Sequence, residues 1–183
     1  DAYLAEVIDD YRERVSRPLR GGTLHLMTSA GGLVRATEFH AKDSLLSGPA
    51  GGVIGALAAG RRSALERVIA FDMGGTSTDV ALVDQEPRLT TEGRIGRFPV
   101  AVPMVDMHTI GAGGGSIAYV DAGGMLHVGP QSAGASPGPA CYGQGGVQAT
   151  VTDANLILGR IRADAFLGGR MQLDVDAARQ AMS

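Results

Sequence analysis

Residues 68–84 read VIAFDMGGTSTDVALVD. Two apolar runs, 68–71 and 80–83, are too short for helices, and β-branched residues recur in both. They predict a buried strand and its partner. The connection holds Gly74 and Gly75, followed by Thr76, Ser77 and Thr78. Such glycines predict a sharp turn, with positive φ open to them at no steric cost. A turn that presents successive N–H groups, with hydroxyls beside them, makes an anion-sized concavity. Asp72 and Asp79 flank it, within reach of a hydrated cation. The set suits the phosphates of a metal-bound nucleotide. The plainer alternative is a tight hairpin in which Asp beside Gly is ordinary turn chemistry. The loop by itself leaves both readings open.

At 183 residues the chain has the length of one domain, enough for a core. A net charge of −3 without a basic block argues against nucleic-acid binding. The longest nearly apolar stretch, 53–59, falls short of the ~20 residues a bilayer demands, and no secretory signal is read. The chain starts at Asp1 rather than Met, which reads as a piece of a longer chain. Cys141 is the only cysteine, which excludes an intrachain disulfide and a cysteine-built zinc site and fits a reducing, cytoplasmic setting. Lys42 is the only lysine against 15 arginines, and no lysine follows a glycine loop, so a Walker-type loop is excluded. Glycine, at 28 residues, is about twice as common as the usual ~7% share and clusters between apolar runs. That distribution predicts a site assembled from loops.

Residues 2–16 carry apolar side chains at helical spacing. Ser47 as N-cap and Pro49 at the first helical position predict a second helix through Gly60. Gly51, Gly52 and Gly55 inside it each cost ~1 kcal/mol against Ala, which predicts close packing by another backbone, a nucleotide or the adjacent sheet. Residues 117–121 and 125–128 predict a hairpin. Residues 129–146 read as a long loop, a class that tends to be functional. Thr152 or Asp153 is placed to cap one helix, and Asp174 begins another.

Gly113, Gly114 and Gly115 lie in a stretch that formally fits a dinucleotide fingerprint. That fingerprint needs a helix to follow, and here a hairpin follows, so a Rossmann site is rejected. The glycines either let backbone approach a ligand or pack a tight turn. Asp106 and His108 fall on one side of an extended segment, as an acid/base pair, a metal pair or a structural hydrogen bond. His25, His40 and His127 show no ligand spacing. Cys141 reads as a small buried thiol rather than a nucleophile, and no G-x-S-x-G elbow is found.

Five stretches in order, LLSGPAGGVIGA (45–56), FDMGGTSTDVALV (71–83), HTIGAGGGSIAYVD (108–121), VGPQSAGASPGPACYGQGG (128–146) and TVTDANLILGRI (150–161), resemble the hydantoinase/oxoprolinase family, in particular its N-methylhydantoinase A-like members. The resemblance covers most of the chain after residue 24. It implies an α/β fold: a ribonuclease-H-like lobe of the actin-like ATPase superfamily, with a mixed sheet and flanking helices. Residues 1–183 would then be a single partial domain, the lobe that carries the second phosphate hairpin and the connecting helix. The family's first phosphate hairpin and its C-terminal portion would lie elsewhere, leaving the isolated chain inactive.

The resemblance further implies ATP and Mg²⁺ as cofactors and a cyclic amide or imide, of hydantoin or 5-oxoproline type, as substrate. A second subunit or domain of hydantoinase B type would be the partner. On this reading Gly74, Gly75, Thr76, Ser77 and Thr78 hold phosphates, and Asp72 holds Mg²⁺ through water. Asp79 is the second acid, Gly113, Gly114 and Gly115 border the ligand, and His108 sits beside it. The alternatives are the ATPase subunit of a ketone carboxylase and a non-catalytic, chaperone-like nucleotide module.

Overall fold

The computed structural model describes residues 2–95 and 97–183. The described chain folds as two compact units. One comprises residues up to Asp72 together with Asp79–His108, and the other comprises Met73–Thr78 with Thr109–Ser183. The class is α/β, as the family resemblance implies, and the pairings of residues 25–27 with 33–35, 83–84 with 86–87, 89–90 with 104–105, 93–95 with 98–100 and 116–120 with 126–132 are antiparallel rather than parts of one mixed sheet.

In the first unit, helix α1 (Ala2–Ser16) is followed by a short hairpin, β1 (His25–Met27) on β2 (Leu33–Arg35), and by helix α2 (Ser47–Arg62). Strands β3 (Arg67–Met73) and β4 (Thr78–Asp84) pair, and β5 (Glu86–Pro87) adds to β4 in antiparallel register. Strand β6 (Leu89–Thr90) pairs with β9 (Met104–Val105), and the hairpin β7 (Gly93–Ile95) with β8 (Phe98–Val100) lies between them in sequence. The core is built on the alternation of β3 and β4. Ala70, Ala81 and Val83 turn inward onto Ala50, Val53 and Leu57 of α2 and onto Val105. Small residues on both sides let helix and sheet approach closely, and burial of this apolar surface stabilises the unit at about 25 cal/mol per Å².

Two local expectations are corrected. Ser47 lies inside α2, and the cap position is Leu46, in the left-handed region at φ 56°, with no side-chain cap. The glycines of α2 also differ in role from the sequence reading. A Cβ at Gly55 would meet nothing within 4 Å, and at Gly51 and Gly52 it would make ordinary contacts only. The close approach occurs at Gly60, where a Cβ would fall 2.8 Å from Val68 Cγ1.

Strand β10 (His108–Ile110) begins on the last residue of the first unit; the second unit continues from Thr109 with the hairpin β11 (Ser116–Val120) on β12 (Leu126–Ser132), helix α3 (Val151–Ile157) and helix α4 (Val175–Met182). Its core gathers Cys141, Leu156, Leu173 and Ala178, with Tyr142 against Phe166. Asp174 caps α4 as predicted, accepting from the amide of Ala177 at 2.9 Å. The cap of α3 is Thr150 rather than Thr152 or Asp153. Its hydroxyl accepts from the Asp153 amide, and the Asp153 carboxylate reaches back to the Thr150 amide, a reciprocal capping box. The loop predicted over 129–146 is partly ordered structure, since β12 runs to Ser132 and a 3₁₀ turn covers Ala140–Tyr142.

Candidate functional site

In the first unit, Asp72 and Asp79 line one cleft of about 190 Å³, walled by Pro49, Gly52 and Val53 of α2 and by Phe71. Asp72 is exposed near the end of β3, and a Cβ on Gly52 would stand 3.9 Å from its Oδ2, an ordinary contact. His108 falls in a neighbouring cleft of about 220 Å³ with Asp106 and Arg88. Asp72 and Asp79 thus share one cleft, and His108 lines an adjoining one that has Val80, Ala81 and Met107 in common with it. Among the described residues no group of three or more His, Cys, Asp or Glu side chains is placed to hold a metal. A carboxylate holding Mg²⁺ through its waters needs no such group, because Mg²⁺ keeps several waters and takes few carboxylates.

In the second unit the turn between β3 and β4 is closed by the Gly74 amide, which donates to the Ser77 carbonyl at 2.8 Å. Neither Gly74 nor Gly75 has positive φ, contrary to expectation. What Gly75 provides is room, since a Cβ there would meet nothing within 4 Å. The carbonyls of Gly74 and Gly75 accept from the amides of Gly114 (2.9 Å) and Gly115 (2.6 Å). A trans peptide sends its C=O and N–H in opposite directions. The amides of Gly75 and Thr76 therefore point away from the segment that holds the carbonyls. Among the described residues nothing accepts from these two amides. Gly74, Gly75 and Thr76 are exposed and Ser77 is half-buried. Two adjacent N–H groups on one side of a turn, with open space over Gly75, form a fit for an anion.

Two other expectations are revised. Thr78 is buried, and its hydroxyl donates to the Ala112 carbonyl at 2.6 Å, so it latches the turn from behind. The amides of Gly113, Gly114 and Gly115 are all consumed inside the protein, Gly113 by Ser116 Oγ at 2.8 Å and the other two by the turn. These glycines are a close-packed support. A Cβ on Gly113 would stand 2.7 Å from Gly74 O and 2.7 Å from Thr76 N, and one on Gly115 would stand 2.9 Å from Gly75 O.

Two residues read from the sequence only as candidate helix caps, Thr152 and Asp153, have long-range partners. Thr152 donates its amide and its hydroxyl to the Gly114 carbonyl, each at 2.8 Å. Fully buried Asp153 accepts from the amides of Ala140, Cys141 and Thr150 and from the Thr150 hydroxyl. The signal for Asp153 was the Thr150-x-x-Asp153 spacing, a capping-box pattern. Cys141 is buried, and burial together with the Asp153 carboxylate pushes its thiol up to about 12, which excludes it as a nucleophile at neutral pH. His127 has a partner after all: its Nε2 lies 2.6 Å from Asp121 Oδ2, and its ring stacks on Tyr119.

The sequence profile described as Hydantoinase/oxoprolinase matches residues 1–183. Caprolactamase subunit alpha of Pseudomonas jessenii is 41% identical over all of this chain and 27% of its own length. The solved structure of the ATP-dependent caprolactamase from the same organism superposes with a TM-score of 0.79 at 40% identity, over 98% of this chain and 27% of that one. 5-oxoprolinase PfmaA of Pestalotiopsis fici is 44% identical over 91% of this chain and 13% of its own length. The nucleotide-free acetone carboxylase structure gives a TM-score of 0.77 at 30% identity, over 93% of this chain and 25% of that one. The chain spans about a quarter or less of the length of these relatives.

Proposed function

The chain belongs to the hydantoinase/oxoprolinase family, and we propose that it supplies the phosphate-holding turn of an ATP-dependent hydrolase of cyclic amides. The observation that carries this reading is the pair of open amides at Gly75 and Thr76, with nothing above Gly75. The names of the caprolactamase and 5-oxoprolinase relatives support the substrate class. The designation of one relative as a subunit supports a second subunit of hydantoinase B type as partner.

The chemical need is plain. An unstrained amide carbon is a poor electrophile, and bound ATP supplies a phosphoryl group that makes the amide oxygen a leaving group. Such transfer asks the protein mainly for positioning and for stabilisation of charge. The amides of Gly75 and Thr76 and the hydroxyls of Thr76 and Ser77 would fix phosphate oxygens. Asp72 would hold Mg²⁺ through water, with Asp79 as the second acid. Gly113, Gly114 and Gly115 would act from beneath, by holding the turn's carbonyls. His108, in the adjoining cleft, would act on substrate rather than on phosphate.

The test is Asp72→Asn in the full-length protein, with lactam-dependent ATP turnover and circular dichroism as readouts. Turnover should vanish while the fold persists; near-normal turnover would remove Asp72 from the mechanism. Running the same assay with a ketone and bicarbonate separates lactam opening from carboxylation. ATP consumption that needs the ketone instead of the lactam would reassign the substrate.

A further inference from the structure

Two chains of hydrogen-bonded peptide groups end at the open amides. In the first, the Ser116 amide donates to the Gly113 carbonyl (3.0 Å). The N–H of that same peptide group, Gly114 N, donates to the Gly74 carbonyl, whose own peptide group ends in the open Gly75 N–H. In the second, Thr152 donates twice to the Gly114 carbonyl. The N–H of that peptide group, Gly115 N, donates at 2.6 Å to the Gly75 carbonyl, whose peptide group ends in the open Thr76 N–H. Every link points the same way. Peptide dipoles aligned head to tail polarise one another, and each donation into a carbonyl strengthens the N–H on the far side of that peptide group.

We infer that Thr152, whose amide and hydroxyl both bond to Gly114 rather than to the turn, is a positioning residue that both orients the Gly75–Thr76 peptide group and polarises its N–H toward an anion. Its hydroxyl is the one side-chain donor in this relay, it is buried, and it delivers its proton to the carbonyl that also receives the Thr152 amide. A Cβ on Gly114 would fall 2.9 Å from that hydroxyl oxygen, so the glycine is what admits the contact. The ligand class is the phosphate group of a nucleotide. The inference rests on the reading of this turn as the phosphate site, and its test separates the two.

Thr152→Val removes the donor and keeps the shape; Thr152→Ser keeps the donor. Two readouts are taken on the full-length protein: the amide proton shift of Thr76, and the affinity for a non-hydrolysable ATP analogue with Mg²⁺. Loss of one hydrogen bond at the head of the relay should move the Thr76 amide upfield and weaken nucleotide binding by about 3- to 10-fold. Thr152→Ser should restore both to within about twofold of wild type. A purely structural role would lower stability in both variants and leave the Thr76 shift where it is. An unmoved Thr76 amide in folded Thr152→Val, or a serine variant that behaves like the valine one, overturns the inference. Should Thr152→Val fail to fold, Thr152→Cys, a weaker donor of similar size, must move the shift in the same direction. If wild type binds no nucleotide, the functional reading falls, and the Thr76 shift alone decides the relay.

Discussion

Gly113→Ala tests the support beneath the turn. The added methyl would stand 2.7 Å from Gly74 O, 2.7 Å from Thr76 N and 2.8 Å from Gly75 C. Favourable contact begins near 3.5 Å, so each pair is short by about 0.7–0.8 Å. All three obstacles are backbone, and no side chain can swing aside. Absorbing the methyl in place is overpacking, at about 1–3 kcal/mol. Escaping it means drawing the glycine segment back by a similar distance, which breaks the Gly114-to-Gly74 and Gly115-to-Gly75 hydrogen bonds at about 1 kcal/mol each. Both routes converge on a loss of about 2 kcal/mol, and both disturb the turn's open amides. The control is Gly111→Ala, where the methyl meets nothing within 4 Å and φ lies outside the left-handed region. It should be neutral or stabilising by up to about 1 kcal/mol. Urea unfolding gives the stability difference, and titration with a non-hydrolysable ATP analogue gives the loss of binding. A Gly113→Ala protein with the urea midpoint and nucleotide affinity of the Gly111→Ala control would refute the packing argument.

Three further outcomes follow from the second unit. Asp153→Ala leaves buried amides without an acceptor and should cost about 3 kcal/mol or more, read by urea unfolding; a loss under about 1 kcal/mol would show that the capping box and loop are held by other contacts. With its thiol pushed up to about 12, Cys141 is thiolate to about one part in ten thousand at pH 8, so a thiol reagent should label it only as fast as the protein unfolds; stoichiometric labelling of native protein within minutes contradicts its burial. Asp121 is held below its ordinary 3.8 by the Met125 amide first, then by His127 and the Gly123 amide. Its contribution to the β11–β12 hairpin is therefore present above pH 3.8 and lost as pH falls through the lower folded-state value; a carboxyl titration by NMR with a midpoint at or above 3.8 would remove that contribution.

The elements around residues 68–84 were legible because apolar alternation and turn chemistry are local, whereas the fold class came from the family resemblance. α1, the β3–β4 pair, the β11–β12 hairpin and the Asp174 cap follow from spacing alone. The roles of individual glycines were not legible. Gly75 and Gly113 look alike in sequence, yet one faces open space and the other is wedged against backbone. Only long-range contact decides between them, and it also turned Thr78 from a candidate ligand into a latch on Ala112. Thr152 and Asp153 were visible as capping residues, but their partners are 38 and 13 residues away, beyond any periodicity. His108 and Asp72 sit on strands whose side-chain directions were readable, while the division into two clefts depends on how α2 and residues 105–108 pack.

The most direct measurement is a structure of the full-length protein with Mg²⁺ and a non-hydrolysable ATP analogue. A phosphate oxygen within about 2.7–3.2 Å of both Gly75 N and Thr76 N is the result predicted here. Nucleotide bound elsewhere, with those two amides left to solvent, would contradict it.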